Sequence, residues 1–271
     1  MDTNPTQTCL SATFRRHPLR IIGRSVWLGG EFVVMALDYC WTVLLHRQTS
    51  LPARARWLQR SSRRALRVFN LDWRVGGDIP QRGLLIANHL SYLDIAVLSA
   101  ITPATFVAKR EVKSWPVFGG FARLAGTIFV HREKRSDVGR TAAEMQAALN
   151  DGALLALFPE GTSSDGETVL PFKSALLEPA VQARQPLLAG CFAYALADGS
   201  VPDEVCYWGD MTLLPHILNL LGKRKISAQV AFAQIAENGS DRKQLARLLH
   251  GEVLRLKANI RWSPRPSDPS L

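Results

Sequence analysis

From residue 71 to residue 257 the chain alternates short apolar runs with longer stretches of helical period, and no other feature restricts its fold as much. Runs at 84–87, 105–108, 127–131, 153–158, 186–192 and 226–232 have strand length, and helix-like stretches at 91–100, 136–150, 174–183 and 241–257 separate them. Strands alternating with helices in this way predict an α/β domain whose sheet is mostly parallel and flanked by helices. A chain of 271 residues has room for one such domain and an appendage. The expected division is an N-terminal membrane-associating helical segment at 1–70, the α/β domain at 71–262 and a disordered Pro- and Ser-rich tail at 263–271.

The appendage is read from the apolar run 26–45, about long enough to cross a bilayer. Glu31 and Asp38 interrupt it. Near a helix centre each acid costs roughly 2.5–3.5 kcal/mol, while an apolar residue returns only ~0.3–0.6. The two acids lie seven apart, on one helical face, so a span and a helix lying in the interface both remain open. Trp27, Tyr39 and Trp41 suit headgroup-level anchors. Arg54, Arg56, Arg60, Arg63, Arg64 and Arg67 follow, threaded with Trp57, Leu58, Leu66 and Val68. They form either a solvated basic face or a contact for anionic headgroups. Arginines are more numerous after the apolar run than before it, which places the rest of the chain in the cytoplasm.

A net charge of +10 implies attraction to polyanions, whether nucleic acid or anionic lipid. Cys9, Cys40, Cys191 and Cys206 are scattered with no C-x-x-C pair, which argues against a disulfide framework and a structural zinc site. A reduced, cytosol-facing domain without a cleavable signal peptide fits best.

Two strings carry chemistry. Asn88-His89-Leu90-Ser91-Tyr92-Leu93-Asp94 follows the run 84–87 and precedes a helical stretch. An imidazole at a strand's C-terminal edge sits where open α/β folds build their sites. With an ordinary pKa of about 6.5 it can take a proton from a hydroxyl, and Asp94 can fix its tautomer. Within one ideal helix the two residues would point about 140° apart. The pair therefore needs His89 ahead of the helix and a turn between them. Ser91-x-x-Asp94 also reads as a capping box, which would make Asp94 structural. The second string, Phe158-Pro159-Glu160-Gly161-Thr162-Ser163-Ser164-Asp165-Gly166, follows the run 153–158. Its glycine and hydroxyls suit an anion or a developing oxyanion; an ordinary polar turn is the alternative. Lys109-Arg110 and His131-Arg132 each follow a predicted strand, where they can meet a phosphate or coenzyme A. The G-x-S-x-G elbow, the P-loop, the dinucleotide fingerprint and H-E-x-x-H are all missing from the sequence.

The first string matches the N-H-x-S-x-x-D block of the glycerolipid acyltransferase family, which includes 1-acylglycerol-3-phosphate acyltransferases. Gly126-Thr127-Ile128-Phe129-Val130-His131-Arg132 resembles the family's second block and Phe158-Pro159-Glu160-Gly161-Thr162 its third. Phe172-Lys173 is similar to the F-K that follows, and Gln185-Pro186-Leu187-Leu188 resembles the fourth block. The resemblance implies a membrane enzyme, on the bacterial inner membrane with its catalytic domain facing the cytoplasm. It would move an acyl chain from acyl-CoA or acyl carrier protein to a lysophospholipid hydroxyl, giving phosphatidic acid if the acceptor is 1-acylglycerol-3-phosphate. His89 would be the base and Asp94 its orienter. Glu160, Gly161, Thr162, Arg132, Lys109 and Lys173 would bind substrate. Attack would be direct, with no cofactor, no metal and no nucleic-acid partner.

The chain departs from the family pattern at Ser163, where arginine is usual, at His131, where aspartate is usual, and at Ser174-Ala175, where x-Gly is usual. It also resembles the branch that includes lyso-ornithine lipid acyltransferases, whose acceptor lacks phosphorus. Other readings are a lipid hydrolase, or a non-catalytic basic protein that binds membrane or nucleic acid through its arginines.

Overall fold

A computed structural model describes residues 17–45, 47, 49–115, 118–130, 135–178, 181, 185–236 and 241–262. Residues 1–16 and 263–271, and with the latter the expected tail, lie outside them.

Two helices open the described residues. Helix α1 (Pro18–Tyr39) runs on into a π-helical turn, Cys40–Leu45, and α2 spans Leu51–Val68. The sheet domain follows as β1 (Leu71–Gly76), β2 (Gly83–Ala87), α3 (Leu93–Ile101), β3 (Thr105–Lys109), α4 (Phe118–Leu124), β4 (Ile128–Val130), α5 (Arg135–Asn150), β5 (Leu154–Leu157), β6 (Leu187–Leu196), α6 (Val201–Glu204), α7 (Leu213–Gly222), β7 (Ile226–Ile235) and α8 (Arg242–Asn259).

Seven strands form a sheet in the order β1-β7-β6-β2-β5-β3-β4. The order β6-β2-β5-β3-β4 is parallel throughout, β1 pairs parallel with β7, and the sheet reverses between β6 and β7. The mostly parallel α/β expectation therefore holds, with one antiparallel seam. Strands β2 and β5 are buried at every position, as befits parallel strands covered on both faces. Gly83 opens β2 at φ +101°; a Cβ there would lie 2.3 Å from the Pro186 carbonyl oxygen, so only glycine lets β2 start against β6.

Two apolar layers cover the sheet. One holds Leu66 and Val68 of α2, Leu93, Val97 and Leu98 of α3, Leu220 and Leu221 of α7, and Leu28 of α1. The other holds Met145 and Leu149 of α5 with Leu245, Leu249 and Val253 of α8. A smaller cluster joins the two N-terminal helices to the domain. There Trp57 is fully buried, donates its indole N–H to the Met35 carbonyl at 3.0 Å, and stacks on Phe121 of α4.

Some elements carry no clear signal in the sequence. Strand β1 (Leu-Asp-Trp-Arg-Val-Gly) is an edge strand with polar residues, so it has no apolar run to reveal it. Helix α7 is short and apolar on most sides, and α4 carries a pair of glycines. The expected helix-like stretch 174–183 begins as a 3₁₀ turn, Ser174–Leu177, and is helical at residues 178 and 181; residues 179, 180, 182 and 183 lie outside the described ones.

The acids of α1 are accounted for locally. Asp38 takes an ion pair from Arg60 at 3.0 Å and a longer one from Arg64 at 3.9 Å, and Glu31 accepts the Trp27 indole N–H at 3.1 Å. Arg54 donates to the Leu124 carbonyl at 2.6 Å, and Arg63 to the Ala100 carbonyl at 2.8 Å. These arginines hold the two helices and the domain together, while Arg56 and Arg67 remain exposed. Buried positions Ile21, Leu28, Met35, Tyr39 and Val43 run along one side of α1 and its π-helical turn. Leu19, Val26, Val33, Leu37, Trp41 and Leu45 on the other side are each 60–84% exposed.

Candidate active site

The site grows from the C-terminal end of β2. Where its pairing with β6 ends at Ala87 and Gly190, the Asn88 side chain takes over the ladder. It donates to the Phe192 carbonyl at 3.0 Å and accepts the Phe192 N–H at 2.7 Å, fixing the chain as it leaves the sheet. His89 then precedes α3 rather than lying in it. The turn at 90–92 brings its Nδ1 to 2.8 Å from Asp94 Oδ2. A carboxylate can only accept, so Nδ1 carries the proton and Nε2 is left with its lone pair. The His89 side chain is 21% exposed and that of Asp94 is fully buried.

The capping reading is half right. Asp94 Oδ2 also accepts the N–H groups of Leu90 at 2.7 Å and Ser91 at 3.0 Å, as the acid of a capping box does. The reciprocal bond does not form: the buried Ser91 hydroxyl makes none within the described residues. Asp94 thus caps the start of α3 and orients His89 with one oxygen.

The second string arrives through the pairing of β2 with β5, which sets Ile86 beside Leu157. Phe158 stacks on the His89 ring at 4.4 Å and 17°. Gly161 adopts φ +72°, the left-handed turn that only glycine enters freely. The loop then returns to the first string, Ser164 donating its N–H to the His89 carbonyl at 3.0 Å. Glu160 lies beneath, 1% exposed, its Oε1 accepting the His89 N–H at 3.0 Å. Burial raises its carboxyl to about 8; backbone N–H groups of His89 and Leu170 and the charge of Lys257 pull it down, while Asp94 pushes it up. It is therefore a neutral acid through much of the physiological range, bracing the backbone of the histidine.

The other sequence-derived residues are less uniform. Thr162 is exposed, and Ser163 donates its hydroxyl to the Tyr207 carbonyl. Lys173 is exposed, its N–H tied to the Pro159 carbonyl at 2.9 Å. Lys109 ends β3 and is exposed, and Arg110, Glu111, Lys113 and Ser114 just beyond it line a shallow open pocket. That segment adjoins the site: Phe118 lies 5.8 Å from Tyr92, and Trp115 lies 6.4 Å from Tyr207. Arg132, with His131, lies outside the described residues; β4 ends just before them, at Val130.

Two contributors were not found by reading the sequence. Tyr194 of β6 donates its hydroxyl to Asp94 Oδ1 at 2.7 Å. His216 of α7, fully buried, donates Nε2–H to the Cys206 carbonyl at 3.1 Å and accepts the Tyr92 hydroxyl at Nδ1 at 2.9 Å. Burial lowers it to about 4, so it is neutral and structural. The one signal available for Tyr194 was a phenol in an otherwise apolar strand, since a buried hydroxyl needs a partner. Cys191 and Cys206 are pushed up to about 12, chiefly by burial, which leaves them protonated and poor nucleophiles.

A family model described as Acyltransferase matches residues 73–194. The chain is 35% identical over 218 residues to the lyso-ornithine lipid O-acyltransferase of Rhizobium meliloti, covering 74% of this chain and 75% of that protein. It is 34% identical over 176 residues to the 1-acyl-sn-glycerol-3-phosphate acyltransferase of Neisseria gonorrhoeae, covering 64% and 69%. The fold matches the crystal structure of a 1-acyl-sn-glycerophosphate acyltransferase from Thermotoga maritima with a TM-score of 0.56 at 21% identity, over 90% of this chain and all of that one.

Proposed function

Because the chain belongs to the acyltransferase family and is an enzyme of its lysolipid class, we propose that it acylates a lysolipid hydroxyl with His89 as general base. The observation that carries the reading is the His89–Asp94 bond at 2.8 Å, which leaves Nε2 of a partly exposed ring with its lone pair just past the C-terminal end of β2. Nε2 takes the acceptor's hydroxyl proton as the oxygen attacks the thioester carbonyl. The C–S bond then breaks, and the thiol leaves with a proton from the imidazolium. Asp94 stabilises the transient positive ring. The loop at Gly161 and Thr162 lies beside the base, held there by the Ser164 N–H bond to the His89 carbonyl, and Thr162 is exposed.

For the acceptor, Ser163 moves the balance from 1-acylglycerol-3-phosphate, the first expectation, towards a phosphorus-free lyso-ornithine lipid. Its hydroxyl is spent on the Tyr207 carbonyl, so this loop position offers neither a cation nor a free donor for a phosphate. The relative from Rhizobium meliloti supports that choice, while the likeness to the neisserial enzyme keeps 1-acylglycerol-3-phosphate as the second reading. The donor is an acyl thioester of coenzyme A or of acyl carrier protein, and the basic turn with Arg110 and Lys113 suits the phosphates either one bears.

Membrane association is read from α1, which packs on the domain along one side and leaves an apolar face open on the other. A helix held this way lies in the interface more readily than across the bilayer. It would bring the domain to its lipid acceptor from the cytoplasmic side.

The test incubates purified protein with acyl-CoA or acyl carrier protein donors against lyso-ornithine lipid and 1-acylglycerol-3-phosphate, reading the product by mass. Ornithine lipid as the main product supports the reading and phosphatidic acid supports the second. Free fatty acid released without acceptor would make the protein a hydrolase instead.

A further inference from the structure

We propose that Tyr194 is a positioning residue for the catalytic pair: its hydroxyl holds the far oxygen of Asp94 and sets how strongly that carboxylate grips His89. The inference rests on the reading of His89 as the base.

The register of β6 delivers the hydroxyl. Leu188, Phe192 and Tyr194 project from the face of β6 that meets α3, while Leu187, Ala189 and Cys191 project from the other. Pairing of Tyr194 with Ala228 on β7 holds that register, and a one-residue slip would carry the phenol to the wrong layer. On the correct layer it lies 6% exposed, 2.7 Å from Asp94 Oδ1. Oδ2 already serves His89 Nδ1, Leu90 N–H and Ser91 N–H. Tyr194 is the fourth donor, and it comes from a strand 100 residues away.

Its chemistry suits the task. Burial first, and then the charge of Asp94, push the phenol well above its usual range, so it stays a donor. The surrounding groups leave Asp94 as the negative charge of the cluster. Tyr92 and Cys206, which face Tyr194, are raised by burial and stay protonated, as does Cys191. Glu160 is pushed towards its neutral form, and Lys257 is occupied by the carbonyls of Gly166 and Glu167 at 2.7 and 2.6 Å. Each donor draws charge from the carboxylate. Removing the phenol hydroxyl would return charge to the face that binds His89, so the imidazolium would be held more tightly.

The experiment uses the full chain with Tyr194→Phe, which keeps the ring and deletes the hydroxyl. The His89 ring signal, followed by NMR against pH without substrate, should titrate at higher pH than in the native protein. The acid limb of kcat/KM should move the same way, so that turnover near neutral pH falls as more of the base is protonated, while the KM for lysolipid stays within about twofold. A lower melting temperature with an unmoved His89 titration would make Tyr194 a packing residue only and overturn the proposal. Should Tyr194→Phe not fold, 3-fluorotyrosine incorporated at position 194 keeps the packing and makes the hydroxyl a stronger donor. His89 should then titrate lower, and no shift would equally overturn the proposal. Because the ring titration needs no turnover, absence of acyl transfer by the native protein would defeat the proposed function and leave this coupling testable.

Discussion

Asp94 reaches back across the turn that opens α3 to accept the Nδ1–H of His89 at 2.8 Å, with the same oxygen that caps the helix. Orientation of the base and the start of the helix are therefore one interaction. Damage to the carboxylate should cost fold and function together, while damage to the imidazole should cost function alone.

His89→Ala should accordingly leave a folded protein whose acyl transfer is down by ~10²–10⁴, the usual worth of a positioned base. Its melting temperature should stay close to native, because the ring is partly exposed and packs mainly on Phe158. Thermal melts beside a turnover assay check both halves. Substantial residual turnover in a well-folded variant would remove His89 from its role.

Asp94→Asn should be inactive and also less stable, by about 1–3 kcal/mol, since its one oxygen can turn to the Leu90 and Ser91 N–H groups only by setting the amide nitrogen against the Tyr194 hydroxyl, and these bonds lose the carboxylate's charge. Denaturant titration measures the second effect. Equal stability for Asp94→Asn and the native protein would mean that the capping bonds carry no weight.

Glu160 makes stability depend on pH. Its carboxyl has an ordinary pKa of about 4.3 when unfolded and about 8 in the fold. Between those values folding takes up a proton, so the contribution of this group is complete below about pH 4 and is lost as pH rises towards about 8. Glu160→Gln keeps an oxygen for the His89 N–H and cannot ionise. Melting temperatures taken at about pH 5 and pH 8 should show the variant gaining on the native protein at the higher pH. A difference that does not change with pH would mean that Glu160 is not held neutral.

Ser163→Arg should replace the bond to the Tyr207 carbonyl with a free guanidinium beside the acceptor loop. The ratio of turnover on 1-acylglycerol-3-phosphate to turnover on lyso-ornithine lipid should rise about tenfold, the scale of one charge-assisted bond. An unchanged ratio would show that this position does not choose the headgroup.

On α1, Val33→Lys and Leu37→Lys alter side chains that are 60% and 64% exposed, so the fold should tolerate both. Vesicle sedimentation should show binding weakened at least about tenfold for the pair, as two charges enter the apolar boundary. Met35→Lys, at 2% exposure, should instead unfold the N-terminal helices. Undiminished vesicle binding by the exposed-face pair would place the membrane contact elsewhere.

How much of this could be read from the chain depends on the range over which each feature is set. Spacing alone placed His89 ahead of a helix and Asp94 inside it, because a strand end and a helix start are local. The apolar runs likewise gave the inner strands, whose residues are buried whatever their neighbours. Edge strand β1 and the antiparallel seam between β6 and β7 were illegible, since pairing partners lie far away in sequence.

The sequence by itself determined the spacing that lets His89 meet Asp94, the order of that string relative to the second loop and the strands of the parallel core, all of which follow from local periodicity and short contacts. Tertiary structure alone decided that Tyr194 meets Asp94, that Asn88 is pinned by Phe192 and that Glu160 is pushed towards its neutral form. Those outcomes depend on strand register and on the removal of water from a charged group, and neither exists until the sheet has assembled.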